Sequence, residues 1–318
     1  MKVLFIVLVV LLSLGLLFLA ALAIIGTVVA NMVILPKRKS PAVIRARDSE
    51  RGCPECFDDY DNLWERHEFS LDVYNATISG EYIVNPSGGD RRKKVAVICH
   101  GHTVSRYATL KYGKIFYDLG YNLVIFDERY FGRSLSKYCT LGMNESQDIK
   151  KIIAFARSVF GQDCFIGLHG ESMGAASELL ALDTETPDFV IADCPFADTR
   201  KLMLYLTRQK AGFLAPQVLG FTRARCMRCC DYDMKKVNPI NSVRRTNVPI
   251  CFVHGVADDY IPCEHSKMMY RISKNPDCEL HLIPRAAHAR SITTDRPRYE
   301  KMVADFTAKI ESKAYTNL

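Results

Sequence analysis

The sequence predicts an α/β fold: a mostly parallel mixed sheet with helices on both faces, a small helical cap, and a transmembrane helix at the N-terminus. Three observations carry this prediction. Short apolar runs alternate with helix-like segments over the C-terminal two thirds of the chain, one long interval among them lacks any strand pattern, and the first 35 residues are almost wholly apolar.

The strand-like runs are Val95–Cys99, Leu123–Phe126, Cys164–Leu168, Phe189–Ala192, Pro249–Val253 and Leu280–Ile283. Helical patterns fall at Tyr107–Leu119, Glu145–Phe160, Met173–Leu182, Glu264–Ser273 and Arg298–Ile310. Near-continuous apolar strands separated by helices indicate a parallel sheet buried on both faces. Ahead of them, His67–Tyr74 and Ile78–Val84 alternate apolar with polar residues across a short turn, as an antiparallel edge pair would. From Pro195 to about Thr246 only amphipathic segments occur, such as Lys201–Gln209 and Phe213–Phe221. An insertion of that length between core strands is expected to fold as a helical cap.

The apolar run from Val3 to Leu35 exceeds the roughly 20 residues that a spanning helix needs. A cleaved signal peptide is the alternative, with Ala21-Leu22-Ala23 or Val28-Val29-Ala30 as cleavage sites, but the run outlasts the roughly 7–15 residues of a signal core. A retained anchor over residues 1–36 is therefore favoured. Lys37, Arg38, Lys39, Arg45 and Arg47 follow it, so the positive-inside bias places the main domain in the cytoplasm. Residues 37–66 read as a basic juxtamembrane linker, and 67–318 as the main domain with the cap at about 195–246.

Composition narrows the function. A hydrophobic content of 48% supports a substantial core, and a net charge of +7 spread along the chain leaves no concentrated nucleic-acid footprint. Of the 12 cysteines, Cys99 and Cys251 lie in apolar strands as small hydrophobes. Cys53-Pro-Glu-Cys56 and Cys226-Met-Arg-Cys229-Cys230 could form a disulfide or a zinc site, but neither has further ligands at finger-like spacing, and unrelated thiols are preferred. The cap is basic at Arg200, Lys201, Arg208, Lys210, Arg223, Arg225 and Arg228, as a solvated face or one turned toward anionic lipid or an acidic substrate.

Gly170-Glu-Ser-Met-Gly174 sits between a strand and an Ala/Leu-rich helix, the pattern of a nucleophile elbow that holds Ser172 above the sheet edge. A serine hydroxyl needs a base, and His288 lies in the loop after the last strand. The base needs an acid to fix its tautomer; Asp258 follows the penultimate strand, and Asp193 is a second candidate at the end of the strand before the cap. The order Ser, Asp, His is that of α/β-hydrolases. Oxyanion donors are expected from the backbone N–H groups of Met173 and of His102 in the turn His100-Gly-His-Thr103. The side chains of His100 and His102 lack the further ligands a metal would need. No metal and no cofactor is called for.

Those residues, together with Phe126-Asp-Glu-Arg-Tyr-Phe-Gly-Arg-Ser134, Ile191-Ala-Asp-Cys-Pro-Phe196 and Asp258-Asp-Tyr-Ile-Pro262, resemble the bacterial α/β-hydrolase family of YqkD-type proteins, related to serine aminopeptidases and acyl esterases. The resemblance covers about Glu68 to Ile310 and implies Ser172 as nucleophile, Asp258 as acid, His288 as base, and His102 with Met173 as oxyanion donors. The Cys-x-x-Cys pairs lie outside its pattern. The expected activity is hydrolysis of a carboxylic ester of a small or lipid-like molecule through an acyl-enzyme. A peptidase or thioesterase would use the same triad, and a membrane-anchored binding protein or a redox or zinc protein would not need it.

Overall fold

The computed structural model describes residues 1–87 and 93–316. Its sheet has eight strands: β1 (Glu65–Val73), β2 (Ala76–Val84), β3 (Lys94–Cys99), β4 (Asn122–Phe126), β5 (Phe165–Glu171), β6 (Phe189–Asp193), β7 (Ile250–Gly255) and β8 (Glu279–Ile283). They lie in the order β1-β2-β4-β3-β5-β6-β7-β8. The pairs β1–β2 and β2–β4 are antiparallel, and every other neighbouring pair is parallel. The mixed sheet expected from the sequence is thus formed, with the antiparallel pair at one edge.

Burial follows from strand period. Along β3, Ala96 and Ile98 enter one apolar cluster, whereas Val95, Val97 and Cys99 enter a second on the opposite face. Helices cover both faces, so no strand side chain in the centre needs to be polar. The first helix is α1 (Lys2–Ile34), and α2 (Pro41–Glu50) and α3 (Glu55–Asn62) precede the sheet. Between strands lie α4 (Leu110–Asp118), α5 (Glu145–Phe160), α6 (Met173–Ala181), α7 (Thr199–Ala211), α8 (Ala215–Cys230), α9 (Pro239–Arg245) and α10 (Glu264–Ile272). The chain ends with α11 (Ser291–Thr294) and α12 (Arg296–Thr316). The strandless interval is filled by α7, α8 and α9; Asp198 caps α7 by accepting from the Lys201 N–H at 2.9 Å, and Gly212 ends it at φ 52°.

Residues 37–66 depart from the expected linker. Cys53, Cys56, Phe57, Tyr60 and Trp64 are buried at helical spacing, and they join the apolar cluster on one face of the sheet. Tyr60 donates to Glu81 of β2 at 2.7 Å, and Arg45 pairs with Asp61 at 2.6 Å. Pro, Gly and acidic residues suggested a turn there, but the apolar stripe decides the outcome. The two cysteine groups are far from a common site in packing terms. Cys53 and Cys56 belong to that cluster, Cys226 belongs to the cap cluster, and all 12 cysteines are free thiols.

Arg106, just after β3, is almost fully buried and bridges Glu81 of β2 at 3.0 Å and Asp127 at the end of β4 at 3.1 Å. Removing one member of such a group strands the others in a desolvated site. We expect Arg106→Leu to lower stability by about 3–5 kcal/mol, read from urea unfolding of the full chain; a loss under about 1 kcal/mol would contradict this account.

Candidate active site

The site grows from the turn between β5 and α6. Ser172 has φ 58° and ψ −110°, a conformation that side chains seldom adopt, and its N–H donates to the Asp193 carbonyl at 2.8 Å. The flanking glycines permit this turn by contact distance: a Cβ at Gly170 would lie 2.4 Å from the Ala175 nitrogen, and one at Gly174 would lie 2.5 Å from the Cys99 carbonyl oxygen. α6 follows with Gly174, Ala175 and Ala176, small enough to pack against the sheet. Ser172 is left 7% exposed at the C-terminal edge of the strands, where open parallel sheets place their ligands.

Ser172 Oγ lies 3.0 Å from His288 Nε2, and His288 Nδ1 lies 2.7 Å from Asp258 Oδ2. His288 comes from the loop after β8 and Asp258 from the loop after β7. The Asp258 carboxylate is itself fixed. Its Oδ1 accepts from the N–H groups of Tyr260 at 3.0 Å and Ile261 at 2.8 Å. Burial pushes its pKa up, but hydrogen bonds from His254 and His288 outweigh this and hold it well below the usual carboxylate range. An ionised carboxylate can only accept, so His288 carries its proton on Nδ1 and leaves Nε2 free to take the Ser172 proton.

The chain after β3 crosses above this turn. His100 donates from Nδ1 to the Gly101 carbonyl at 2.7 Å and accepts at Nε2 from the Glu128 N–H at 2.9 Å, so its ring is fully engaged within the protein. His102 donates from Nε2 to the Val33 carbonyl at 3.1 Å. Among the described residues, neither the His102 nor the Met173 backbone N–H has an acceptor. A cleft of about 960 Å³ beside Tyr138, Arg228 and Cys229 does not include Ser172.

Asp193, the second candidate acid, is not brought to His288. Its Oδ1 accepts from Ser291 at 2.9 Å, and Tyr112 lies 3.3 Å from its Oδ2. Burial first, and the neighbouring Glu171 second, raise its pKa to about 6. Sequence reasoning missed the group beside it. Glu171, the residue before Ser172, accepts from Lys111 at 2.8 Å and from Tyr112 at 2.7 Å. Burial alone would raise the Glu171 pKa, but Lys111 holds it at about 2. Nothing in the spacing of Lys111 on α4 marks it as a buried partner of the turn.

Against known proteins, residues 114–313 match the prolyl oligopeptidase family. The chain belongs to that family. It is 31% identical over 301 residues to the uncharacterized protein YqkD of Bacillus subtilis, covering 93% of this chain and 96% of that one. The Pyrococcus furiosus esterase Pf2001 superposes with a TM-score of 0.64 at 24% identity, over 79% of this chain and 95% of that one. The Pyrococcus horikoshii acylaminoacyl peptidase does so with a TM-score of 0.57 at 19% identity, over 78% of this chain and 42% of that one. The fold is the α/β-hydrolase fold, and the family makes the chain a serine hydrolase of that type.

The Glu171–Lys111 pair supports a prediction. Glu171 has a depressed folded pKa, so its contribution is complete above the unfolded value of about 4.3 and is lost as pH falls toward about 2. Lys111→Met leaves the carboxylate buried without its cation and should cost about 3–5 kcal/mol at pH 7 by urea unfolding. The variant should also lose the part of the acid limb below pH 4.3 that this pair supplies. Unchanged stability at both pH values would refute the role of the pair.

Proposed function

We propose that this protein hydrolyses carboxylic esters through an acyl-enzyme on Ser172. The observation that carries the reading is the continuous chain from Ser172 Oγ through His288 to Asp258, at 3.0 and 2.7 Å. In the first half-reaction Ser172 Oγ bonds to the carbonyl carbon while its proton passes to His288 Nε2. The His102 and Met173 N–H groups receive the oxyanion. The C–O bond to the alcohol then breaks, and His288 returns the proton to the departing oxygen. Water repeats the sequence and releases the acid. Asp258 stays ionised throughout and stabilises the imidazolium.

An ester is preferred because a compact relative in fold, Pf2001, is described as an esterase. Cleavage of an acylated peptide is the second reading, favoured by the family match and by the fold shared with an acylaminoacyl peptidase. Among the described residues, α1 is the one helix long and apolar enough to cross a membrane, and it supports a domain anchored to the bilayer, on the cytoplasmic side by its flanking charge. The basic cap would then face anionic lipid or an acidic substrate.

A fluorophosphonate should label the full-length protein at Ser172 and nowhere in Ser172→Ala. On a panel of nitrophenyl esters and acylated dipeptide amides, Ser172→Ala and His288→Ala should each lose at least about 10³-fold in kcat, and the double variant should be no worse than either single one. Absence of labelling in folded protein would overturn the assignment, and turnover of the peptide amides alone would move it to the second reading.

A further inference from the structure

α1 is divided into two unequal partners of the rest of the chain. From Lys2 to Ala21 every residue is exposed, whereas from Leu22 the helix buries Leu22, Gly26, Ala30, Val33 and Ile34, a single stripe. The stripe lies along cap helix α8. A Cβ on Gly26 would come 2.5 Å from the Phe221 Cβ and 2.9 Å from the Val218 carbonyl oxygen, so the approach depends on glycine.

Past Gly26 the stripe reaches the site. Ala30, Val33 and Ile34 pack in one apolar cluster with Met173, which follows Ser172, and with Ile261, whose N–H holds Asp258. Three hydrogen bonds join this end of the helix to the loops around Ser172. His102 donates to the Val33 carbonyl at 3.1 Å, Cys139 N–H donates to the Ile34 carbonyl at 3.0 Å, and Lys39 N–H donates to the Thr103 carbonyl at 2.9 Å. The turn at His102-Thr103 is therefore tied at two points, His102 and Thr103, to residues 33–39. It needs holding, because Thr103 sits at φ 73°, where a β-branched residue is strained.

We propose that the docked half of α1, Leu22–Ile34, is a positioning element of the active site, which acts through Val33 on His102 to keep the His102 N–H aimed at the oxyanion. The inference rests on the reading of Ser172 and His102 given above. It gives the helix a second task besides anchoring. It also means that cleavage at either small-residue site, after Ala23 or after Ala30, would remove part or most of the docked half.

The test compares full-length protein in detergent with a chain lacking residues 2–21, and with Gly26→Leu, His102→Ala and His102→Gln in the full chain. Readouts are the rate of fluorophosphonate labelling and kcat and KM for a short-chain nitrophenyl ester, with circular dichroism as the control for folding. Loss of residues 2–21 should leave kcat unchanged. Gly26→Leu and His102→Ala should lower kcat at least about tenfold with KM little altered, since a misaligned oxyanion donor affects the transition state more than binding. His102→Gln should recover part of the loss, because its amide can donate to Val33. Wild-type kcat in folded Gly26→Leu and His102→Ala would overturn the proposal. Failure of the full-length wild type to label or turn over would instead strike the reading of Ser172 itself.

Discussion

Between Gly170 and Gly174 the backbone doubles back so tightly that α6 touches both the end of β5 and the carbonyl of Cys99. No side chain fits at either glycine, and Ser172 between them is held at a positive φ that it would not choose alone. The neighbours that enforce this are the Asp193 carbonyl, which takes the Ser172 N–H, and the sheet itself, whose β5 is buried along its whole length. His288 and Asp258 arrive on loops from β8 and β7, so their reach depends on the register of strands that do not pair with β5. Moving β5 by one residue would reverse every side chain and take the hydroxyl off the edge.

Beneath the turn lies a small electrostatic problem. Glu171 and Asp193 are register partners on adjacent strands, and both are buried. Two carboxylates so placed cannot both ionise cheaply. Lys111 resolves the competition in favour of Glu171, held at about 2, while Asp193 is raised to about 6 and accepts from the neutral Ser291 hydroxyl. The two groups act oppositely on stability. Asp193, with its pKa raised, favours the folded state below its unfolded value and gives that up as pH rises through about 6; Glu171 contributes above about 4.3.

The central strands were legible because burial on both faces writes itself as unbroken apolar runs, and α5 was legible to the residue because Glu145 and Gly161 punctuate it. Ser172, Asp258 and His288 could be named as candidates because each follows a strand end, and the fold brings the three within hydrogen-bond distance. What escaped was whatever depends on tertiary partners. α2 and α3 carry charge and turn residues that masked the stripe from Cys53 to Trp64. Lys111 resembles any solvated lysine on a helix until Glu171 is seen beside it. The long apolar run of α1 gave its length but not its division, since the exposed and the docked residues look alike in composition.

That division also sets a height. The exposed half of α1 is about 20 residues, close to the 30 Å of a bilayer's hydrocarbon, and the docked half rises about another 20 Å before it meets His102. Under the proposed anchoring, a helix fixed to the domain at one end and embedded at the other would act as a rigid strut and not as a tether. The serine would patrol a thin layer parallel to the membrane, at a distance set by helical rise and tilt. Substrates would be sorted first by how far their scissile bond projects from the lipid surface, before any pocket reads their shape.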